Sequence, residues 1–332
     1  MRQLPRLLRH RDRDLRPGEV QVPATAEEPR IQMLEAGGVR WYHAEDPRAA
    51  DTGWLAEHFA FHPLDLEDVA SINQRPKLDV YDEYLFLVVH FPRFVKATGR
   101  LHAAELDIFI GPGYVVTLPE EAIVPLPALW ERAQEQPDFR AELFAGGSGR
   151  LLYEILDRGM DACFPMLGQL GRKLRRLEDD IFEGRSSESV REISNTKQEI
   201  INFRAIIRPQ RGVFRALERV KQRHFGDDLD VYFDDLTDAS ERIWDVLENF
   251  KEIVEALEST NESVLTHRLN DVLRVLTAAS VVLLPLTLIA SIWGMNVQVP
   301  GEGDAAPFYF ILAGMAFILV TLIAWFRRRG WL

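Results

Sequence analysis

The sequence predicts an α+β protein in which a cytoplasmic α/β layered domain is followed by long helices and a C-terminal two-helix transmembrane hairpin. Three observations predict this class. Residues 19–147 alternate strand-like runs with helical patches, and residues 148–293 carry few Gly or Pro residues within long helical patterns. Two uncharged runs of 19 residues, Val275–Trp293 and Phe308–Phe326, come last in the chain. A helix needs about 20 apolar residues to cross a bilayer, so each run is close to that length.

The composition excludes several classes of protein. The chain has 332 residues and a formal net charge of −12, and this acidic balance argues against a nucleic-acid partner. Its single cysteine, Cys163, excludes internal disulfides and a Cys-cluster zinc site. The sequence has no G-x-x-x-x-G-K-[ST] segment, which argues against a nucleotide cofactor. It shows no nucleophile and base at catalytic spacing, so we do not expect an enzyme.

Strands and helices alternate in the predicted α/β domain, residues 19–147. Strands are predicted where β-branched and aromatic residues lie between turn signals, at Val39–His43, Tyr84–Phe91, Glu105–Ile110 and Gly113–Leu118. Helices are predicted at Trp54–Phe61, Leu64–Ala70 and Pro125–Gln136. The glycine-rich segment 146–149 marks the end of this domain.

The following residues predict long helices. Residues 148–228 predict a helical hairpin with helices at Leu151–Phe182 and Ser186–Arg223, the second interrupted at Pro209. Residues 229–293 predict one stalk helix that continues into the first membrane helix, with a length of about 100 Å at roughly 1.5 Å per residue. Apolar residues at alternating spacings of 4 and 3 predict a packed seam on it: Ile243, Leu247, Phe250, Val254 and Leu257.

Charges near the membrane helices predict their orientation. The connecting segment 294–307 has no Lys or Arg, whereas the terminus 327–332 begins with three arginines. The positive-inside rule therefore places both termini in the cytoplasm and segment 294–307 on the other side. Residues 1–18 hold six arginines but no apolar run of signal-peptide length. They predict a disordered basic tail or a contact with anionic lipid.

One face of the first membrane helix carries a stripe of polar residues and leucines. The residues recur at alternating spacings of 3 and 4: Asn270, Leu273, Thr277, Ser280, Leu284, Thr287 and Ser291. A single hairpin cannot enclose a water path, but a ring of identical helices can, with this stripe inward. Alternatively, the hydroxyls bond back to their own helix or allow close helix packing. Because the stripe within Val275–Trp293 holds no carboxylate, it suits an ion that keeps its water shell, such as Mg²⁺.

Several motifs resemble those of CorA-type divalent-cation channels. The sequence Gly294-Met295-Asn296, directly after the first membrane helix, resembles the GMN signature of that family. Further resemblances extend over nearly the whole chain. Around the first membrane helix, Pro285–Ala290 resembles the PLT-x-I-x segment of the family and Asn270–Val272 resembles its N-x-V segment. In the first domain, His62–Leu64 with Glu67-Asp68 resembles the HPL…ED pattern and Gln74–Lys77 resembles QRPK, whereas Arg327–Leu332 resembles the family's basic terminus with a final WL.

The resemblance implies a homopentameric, channel-like transporter in lipid, which carries hydrated Mg²⁺, and as further candidates Co²⁺ and Ni²⁺, into the cell. It implies a bacterial or archaeal plasma membrane. Gly294, Met295 and Asn296 would form the selectivity filter: Gly294 allows the turn out of the helix, Met295 packs the loop, and Asn296 contacts the ion's hydration shell. The remaining implied pore residues are Asn270 at the cytoplasmic end and the hydrophobic constrictions Leu273, Leu276 and Leu284. Glu302 and Asp304 come later in the outer loop and would attract cations to the mouth.

Regulation by cytoplasmic Mg²⁺ is also implied, through carboxylates between neighbouring subunits. Residues 232–238 resemble the segment that holds one of them, with Asp235 as the best match and Asp238 as a helper. Alternatively, Asp234 or Asp235 caps the stalk helix. The partner carboxylate of the family falls near Pro92–Val95, where this chain has no acid.

Two other functions stay open at this point. A ZntB-type zinc transporter has a similar architecture, and His58 and His62, four residues apart, could ligate zinc. A membrane-anchored helical scaffold without transport is an alternative of a different class. Ion flux would exclude the scaffold, and metal-dependent proton coupling would indicate the zinc transporter.

Overall fold

A mixed sheet begins the fold, and long helices follow it. The computed structural model describes residues 28–71, 75–95, 99–183, 186–225, 229–295 and 305–331. The predicted basic tail, residues 1–18, and most of segment 294–307 lie outside these ranges.

Six strands form the sheet, in the order β1-β2-β6-β5-β4-β3. They are β1 Gln32–Ala36, β2 Val39–His43, β3 Lys77–Val80, β4 Leu85–Val95, β5 Arg100–Gly111 and β6 Tyr114–Pro119. The β2–β6 pair is parallel and the other pairs are antiparallel. The four predicted strands correspond to β2, β4, β5 and β6, whereas the sequence did not predict the two edge strands.

Helices cover both faces of the sheet. Phe86 and Val88 of β4 face a cluster formed with α1 (Ala49–His58) and α2 (Pro63–Ala70). Leu85 and Leu87 belong to the cluster formed with the later helices. Because β4 is buried on both faces, its sequence is a continuous apolar run instead of an alternating one.

The helices after β6 are α3 Pro125–Glu135, α4 Pro137–Phe144, α5 Gly147–Asp161, α6 Cys163–Phe182, α7 Ser186–Phe225, α8 Asp230–Trp293 and α9 Ala305–Arg328. Two predictions about their continuity were wrong. The single helix predicted at Leu151–Phe182 is two helices, which separate at Ala162. The helix interruption predicted at Pro209 does not occur: α7 continues through this residue.

Burial explains why α7 tolerates its proline. A proline inside a helix costs about 3 kcal/mol, since one hydrogen bond is lost and the ring crowds the preceding turn. Phe203, Ile207 and Phe214 on either side of Pro209 are at most 1% exposed. Full burial of each such side chain contributes about 1.5–3 kcal/mol, so together they outweigh the loss.

The sheet and the helices share one buried core. Leu87 of β4, Leu152 of α5, Phe203 of α7 and Leu247 of α8 belong to the same cluster. The predicted boundary between residues 147 and 148 therefore divides strand-rich chain from helical chain, but it does not divide two cores. Toward the other end of α8, its residues and α9 are apolar enough and long enough to cross a membrane, as predicted.

Candidate functional site

The end of α8 packs against α9 through one narrow face. Ala278 and Val282 of α8 and Phe326 of α9 are buried at this contact. Partly buried hydrophobic residues surround them: Leu286, Leu319, Leu322 and Trp331. The small side chain of Ala278 lets the two helices approach closely.

The predicted stripe lies on the opposite side of α8. At roughly 100° per residue, the positions 278, 282 and 286 are centred about 180° from the centre of the stripe. All seven stripe residues, Asn270 to Ser291, are exposed in the single chain. The contact with α9 therefore leaves the hydroxyl-bearing face free for a surface outside this chain.

Two hydroxyls of the stripe are bonded to their own helix. Ser280 Oγ donates to the Leu276 carbonyl at 2.9 Å. Thr287 Oγ1 lies 3.0 Å from the Leu283 carbonyl and 2.9 Å from that of Leu284. This is the local bonding that one alternative predicted. It does not remove the oxygen lone pairs, so each hydroxyl still presents an acceptor outward.

The leucines of the predicted constrictions are also exposed in the single chain. Leu273, Leu276 and Leu284 are 47%, 62% and 66% exposed. At the cytoplasmic end, Asn270 is exposed beside an ion pair between Arg274 and Asp271 at 3.2 Å. Apolar rings of this kind can close a pore by dewetting when several chains bring them together.

The GMN motif starts where α8 ends. The Gly294 N–H donates to the Ala290 carbonyl at 2.9 Å, and its φ of −86° is open to any residue. The turn itself therefore requires no left-handed backbone at Gly294. A Cβ at Gly294 would lie 3.1 Å from the Ala290 oxygen, so close approach favours glycine there. Met295 is 57% exposed, and Asn296, Glu302 and Asp304 lie outside the described residues.

A second candidate site surrounds Asp235, which lies against α5. The Tyr153 hydroxyl donates to Asp235 Oδ2 at 3.1 Å. Partial burial, together with the negative charges of Asp161, Asp235 and Glu154, raises the pKa of Asp157 to about 6. A divalent cation would relieve such mutual repulsion. Sequence reasoning missed Asp157 and Asp161, whose only signal is their spacing of four residues on one helix.

The structure around Asp235 also bears on two further expectations, the capping of α8 by an aspartate and the missing acid at Pro92–Val95. The N-cap of α8 is Leu229, so Asp234 and Asp235 lie inside the helix and neither of them caps it. Asp238 is exposed one turn further along. In the stretch Pro92–Val95, which has no acid, Arg93 forms an ion pair with Glu121.

The two histidines considered as zinc ligands have local roles. His58 Nδ1 lies 2.8 Å from the Trp54 carbonyl, and the ring stacks on Trp54 with 3.9 Å between centroids. His62 precedes α2, and its Nδ1 accepts the Leu64 N–H at 3.2 Å. Because α1 ends at His58, the spacing of four residues does not place both rings on one helix face.

The known proteins to which this chain is similar in sequence include several that are named as metal-ion transporters. YfjQ of Bacillus subtilis is 29% identical over 307 residues, which cover 91% of this chain and 93% of that protein. The cobalt/magnesium transport protein CorA of Thermotoga maritima is 28% identical over 279 residues, covering 84% and 79%. The zinc transport protein ZntB of Yersinia pseudotuberculosis is 24% identical over 293 residues and covers 88% of each chain.

The fold and the family agree with these relatives. The solved structure of the CorA magnesium transporter from Methanocaldococcus jannaschii matches with a TM-score of 0.76 at 21% identity, covering 90% of this chain and 93% of that one. This likeness confirms the predicted α+β class with its two C-terminal apolar helices. The family described as "CorA-like Mg2+ transporter protein" matches residues 36–328. Since that match covers most of the sequence, this chain belongs to the CorA-like Mg²⁺ transporter family.

Proposed function

We propose that this chain is one subunit of a homopentameric channel through which hydrated Mg²⁺ enters a bacterial or archaeal cell across the plasma membrane. The observation that carries the proposal is the exposed stripe of α8, which faces away from α9. In a ring of subunits this face lines a central path, and α9 lies outside it. The family described for Mg²⁺ transport supports the cargo, and the Thermotoga relative named for cobalt and magnesium supports Co²⁺ as a second ion.

The chemistry of the stripe suits a cation that keeps its water. Water molecules bound to Mg²⁺ point their hydrogens outward, so the lining must offer acceptors. Ser280 and Thr287 donate their own hydrogens to helix carbonyls and therefore present oxygen lone pairs to the path. The stripe within the membrane has no carboxylate that would bind the bare ion, and Mg²⁺ loses its waters reluctantly.

The two ends of the path have separate roles in this proposal. At the outer mouth, Glu302 and Asp304 attract cations, and Asn296 offers amide oxygens to the first hydration shell. At the cytoplasmic side, the rings of Leu273, Leu276 and Leu284 act as gates that close by dewetting. With both termini in the cytoplasm, the membrane potential drives entry. Two charges gain about 4.6 kcal/mol per 100 mV.

Cytoplasmic Mg²⁺ regulates this channel through the acidic cluster around Asp235. The raised pKa of Asp157 supports a cluster in which Asp157, Asp161 and Asp235 repel one another in the absence of a cation. Because Pro92–Val95 supplies no carboxylate, the oxygens that accompany Asp235 come from α5 of the same chain, with Asp238 as an outer helper. Bound Mg²⁺ then holds the start of α8 against α5 and favours the closed channel.

Flux measurements with purified protein in liposomes test the transport proposal. Asn296→Ala should abolish Mg²⁺ uptake and leave the oligomer intact, whereas Gln298→Ala in the same outer segment is the matched control and should retain uptake. Normal uptake by Asn296→Ala would remove Asn296 from the filter. The subunit number, measured by light scattering on the same sample, should be five.

The same assay separates the other functions. Uptake of Mg²⁺ and Co²⁺ without a proton gradient supports the channel, whereas Zn²⁺ uptake that needs a proton gradient indicates a ZntB-type transporter. No uptake of any divalent ion by the parent protein indicates a scaffold. Asp235→Lys should make flux less sensitive to cytoplasmic Mg²⁺, and unchanged inhibition would place sensing elsewhere.

A further inference from the structure

The chain folds back on itself where α9 ends. Gly330 has a φ of +68°, a left-handed conformation that glycine adopts at little cost. This turn lets the Trp331 N–H donate to the Phe326 carbonyl at 3.0 Å, and the Gly330 N–H to the Arg327 carbonyl at 3.1 Å. The Trp331 ring lies 5.6 Å from the Phe326 ring, which is buried against α8. The end of the chain is therefore fixed to the contact between α8 and α9, so the arginines beside it have defined positions.

The positive charge at this end is not neutralised by the chain itself. The side chains of Arg327–Arg329 are exposed. In the part of the chain that the structure describes, none of them forms an ion pair with a carboxylate, and Asp271 of α8 pairs with Arg274. The Arg329 guanidinium lies over the ring of Trp325, 5.4 Å from its centroid, and Trp325 is 49% exposed. Three cations and an indole ring are thus left for a partner outside this chain.

The position of the arginines along α9 is that of lipid headgroups. The uncharged run Phe308–Phe326 spans about 28 Å at roughly 1.5 Å per residue, and the hydrocarbon core is about 30 Å thick. At roughly 100° per residue, Arg328 points about 160° away from Phe326 and hence away from α8. Phe317, on the same side of α9, is 73% exposed. In the proposed ring, where α9 lies outside α8, this side faces lipid.

Two of the three arginines share a flank of the helix with the indole ring. Arg328 and Arg329 lie about 60° and 40° from Trp325 around the axis of α9, one on each side of it. Arg327 lies about 160° from Trp325, on the other flank. Indole rings are enriched at the membrane–water interface, so the depth of Trp325 suits a headgroup contact.

We propose that Arg328 and Arg329, with the ring of Trp325 between them, bind the headgroup phosphate of an anionic phospholipid in the cytoplasmic leaflet. A guanidinium donates two parallel hydrogen bonds to phosphate oxygens, and stacking on Trp325 orients one of the two. Phosphatidylcholine carries a choline cation that already balances its phosphate, so the site prefers a headgroup without one. The inference rests on the proposed function only for the orientation of the helices and for α9 lying outside the ring.

Native mass spectrometry of the full-length protein in detergent tests this site, because it counts bound lipids and subunits in one spectrum. Phosphatidylglycerol should bind more tightly than phosphatidylcholine with the same acyl chains. Arg328→Gln and Arg329→Gln should each weaken phosphatidylglycerol binding about fivefold, since a cation near an anionic headgroup is worth about 1 kcal/mol. Arg327→Gln removes the same charge at the same depth from the other flank. It is the matched control and should change the affinity less than twofold.

Thermal melts with added lipid give a second readout. Phosphatidylglycerol should raise the melting temperature of the parent protein more than phosphatidylcholine does, and this difference should shrink in the variant with both Arg328→Gln and Arg329→Gln. The proposal is overturned if the parent binds the two lipids equally, or if Arg328→Gln leaves phosphatidylglycerol binding unchanged. Equal weakening by Arg327→Gln also overturns it, because the attraction is then diffuse. No ion gradient is present, so failure here leaves the Mg²⁺ flux proposal standing, and absent flux leaves the lipid counts unchanged.

Discussion

The two halves of α8 belong to one helix, yet they differ in how their side chains are buried. Between Phe233 and Leu257 the apolar seam is buried in the shared core, so the chain satisfies that half by itself. Beyond Asn270, Ala278 and Val282 are buried and the stripe stays exposed. We infer that the first half supplies stability to the subunit, whereas the second half is finished only when other subunits surround the stripe.

The largest expected effect compares a leucine from each half. Leu247→Ala leaves a cavity at a position that is 0% exposed and should cost about 2–5 kcal/mol of unfolding free energy. Leu284→Ala, at 66% exposure, should change it by no more than about 0.5 kcal/mol. Chemical denaturation of the full-length protein in detergent measures both. Equal losses would mean that Leu284 is buried against a neighbouring subunit and does not line a water path.

A smaller effect concerns the one packed face of the membrane half. Ala278→Leu adds volume where Ala278 is 0% exposed, so it should cost about 1–3 kcal/mol through overpacking between α8 and α9. Ala279→Leu, next along the helix and exposed, is the control and should leave the melting temperature nearly unchanged. A similar drop for both variants would show that α9 does not pack on the face described here.

Asp157→Asn tests the acidic cluster at the start of α8. Because the native pKa is raised to about 6 from an unfolded value of about 3.9, the native state binds more protons between these values. Stability therefore falls as the pH rises from about 4 to about 6, and the penalty persists above that range. The asparagine variant should gain about 1 kcal/mol at pH 7.5, after allowance for solvent screening, and nothing near pH 3.5.

Mg²⁺ provides the control for that variant. If the cluster binds the ion, millimolar Mg²⁺ should stabilise the parent protein at pH 7.5 and narrow its gap to Asp157→Asn. Thermal melts at several pH values, with and without Mg²⁺, measure both effects. A gap of the same size at pH 3.5 and pH 7.5 would contradict the assigned ionisation.

The smallest expected effect concerns single hydroxyls. Thr287→Val removes one acceptor per subunit from the proposed path and should lower Mg²⁺ flux at least about fivefold, since a lost hydrogen bond is worth about 1 kcal/mol. Thr321→Val is the matched control, because Thr321 Oγ1 donates to the Phe317 carbonyl of α9 at 2.7 Å in the same manner. It should leave flux unchanged. Equal loss in both variants would point to helix stability and not to the path.

Sequence patterns predicted those elements whose signal is local. β2 and β4 follow from their β-branched and aromatic residues, and the length of α8 follows from its uninterrupted pattern. β3 was missed because its four residues are only partly buried or exposed, so their pattern carries little apolar signal. The break at Ala162 was missed because alanine itself favours helix, although Pro165 in the first turn of α6 is a signal that could have located it.

In the candidate sites, too, only the local features could be predicted from the sequence. The spacing of the stripe follows from helix geometry, so the exposed face of α8 could be predicted from residue numbers. The approach of Asp157 to Asp235 depends on how the distant helices α5 and α8 pack. Gln210 is another case: it accepts the His90 N–H at 3.1 Å and donates to the His90 carbonyl, which continues the pairing of β4 beyond the end of β3.

The unbroken course of α8 has a mechanical consequence. The helix has 64 residues, so it extends over roughly 96 Å and works as a lever arm without a joint. The part beyond Leu257, the last seam residue in the core, spans about 54 Å, so a tilt of about 3° there displaces the far end by about 3 Å. That displacement is comparable with the diameter of a water molecule. A small tilt in the core is therefore amplified at the end of α8 from which the GMN motif starts.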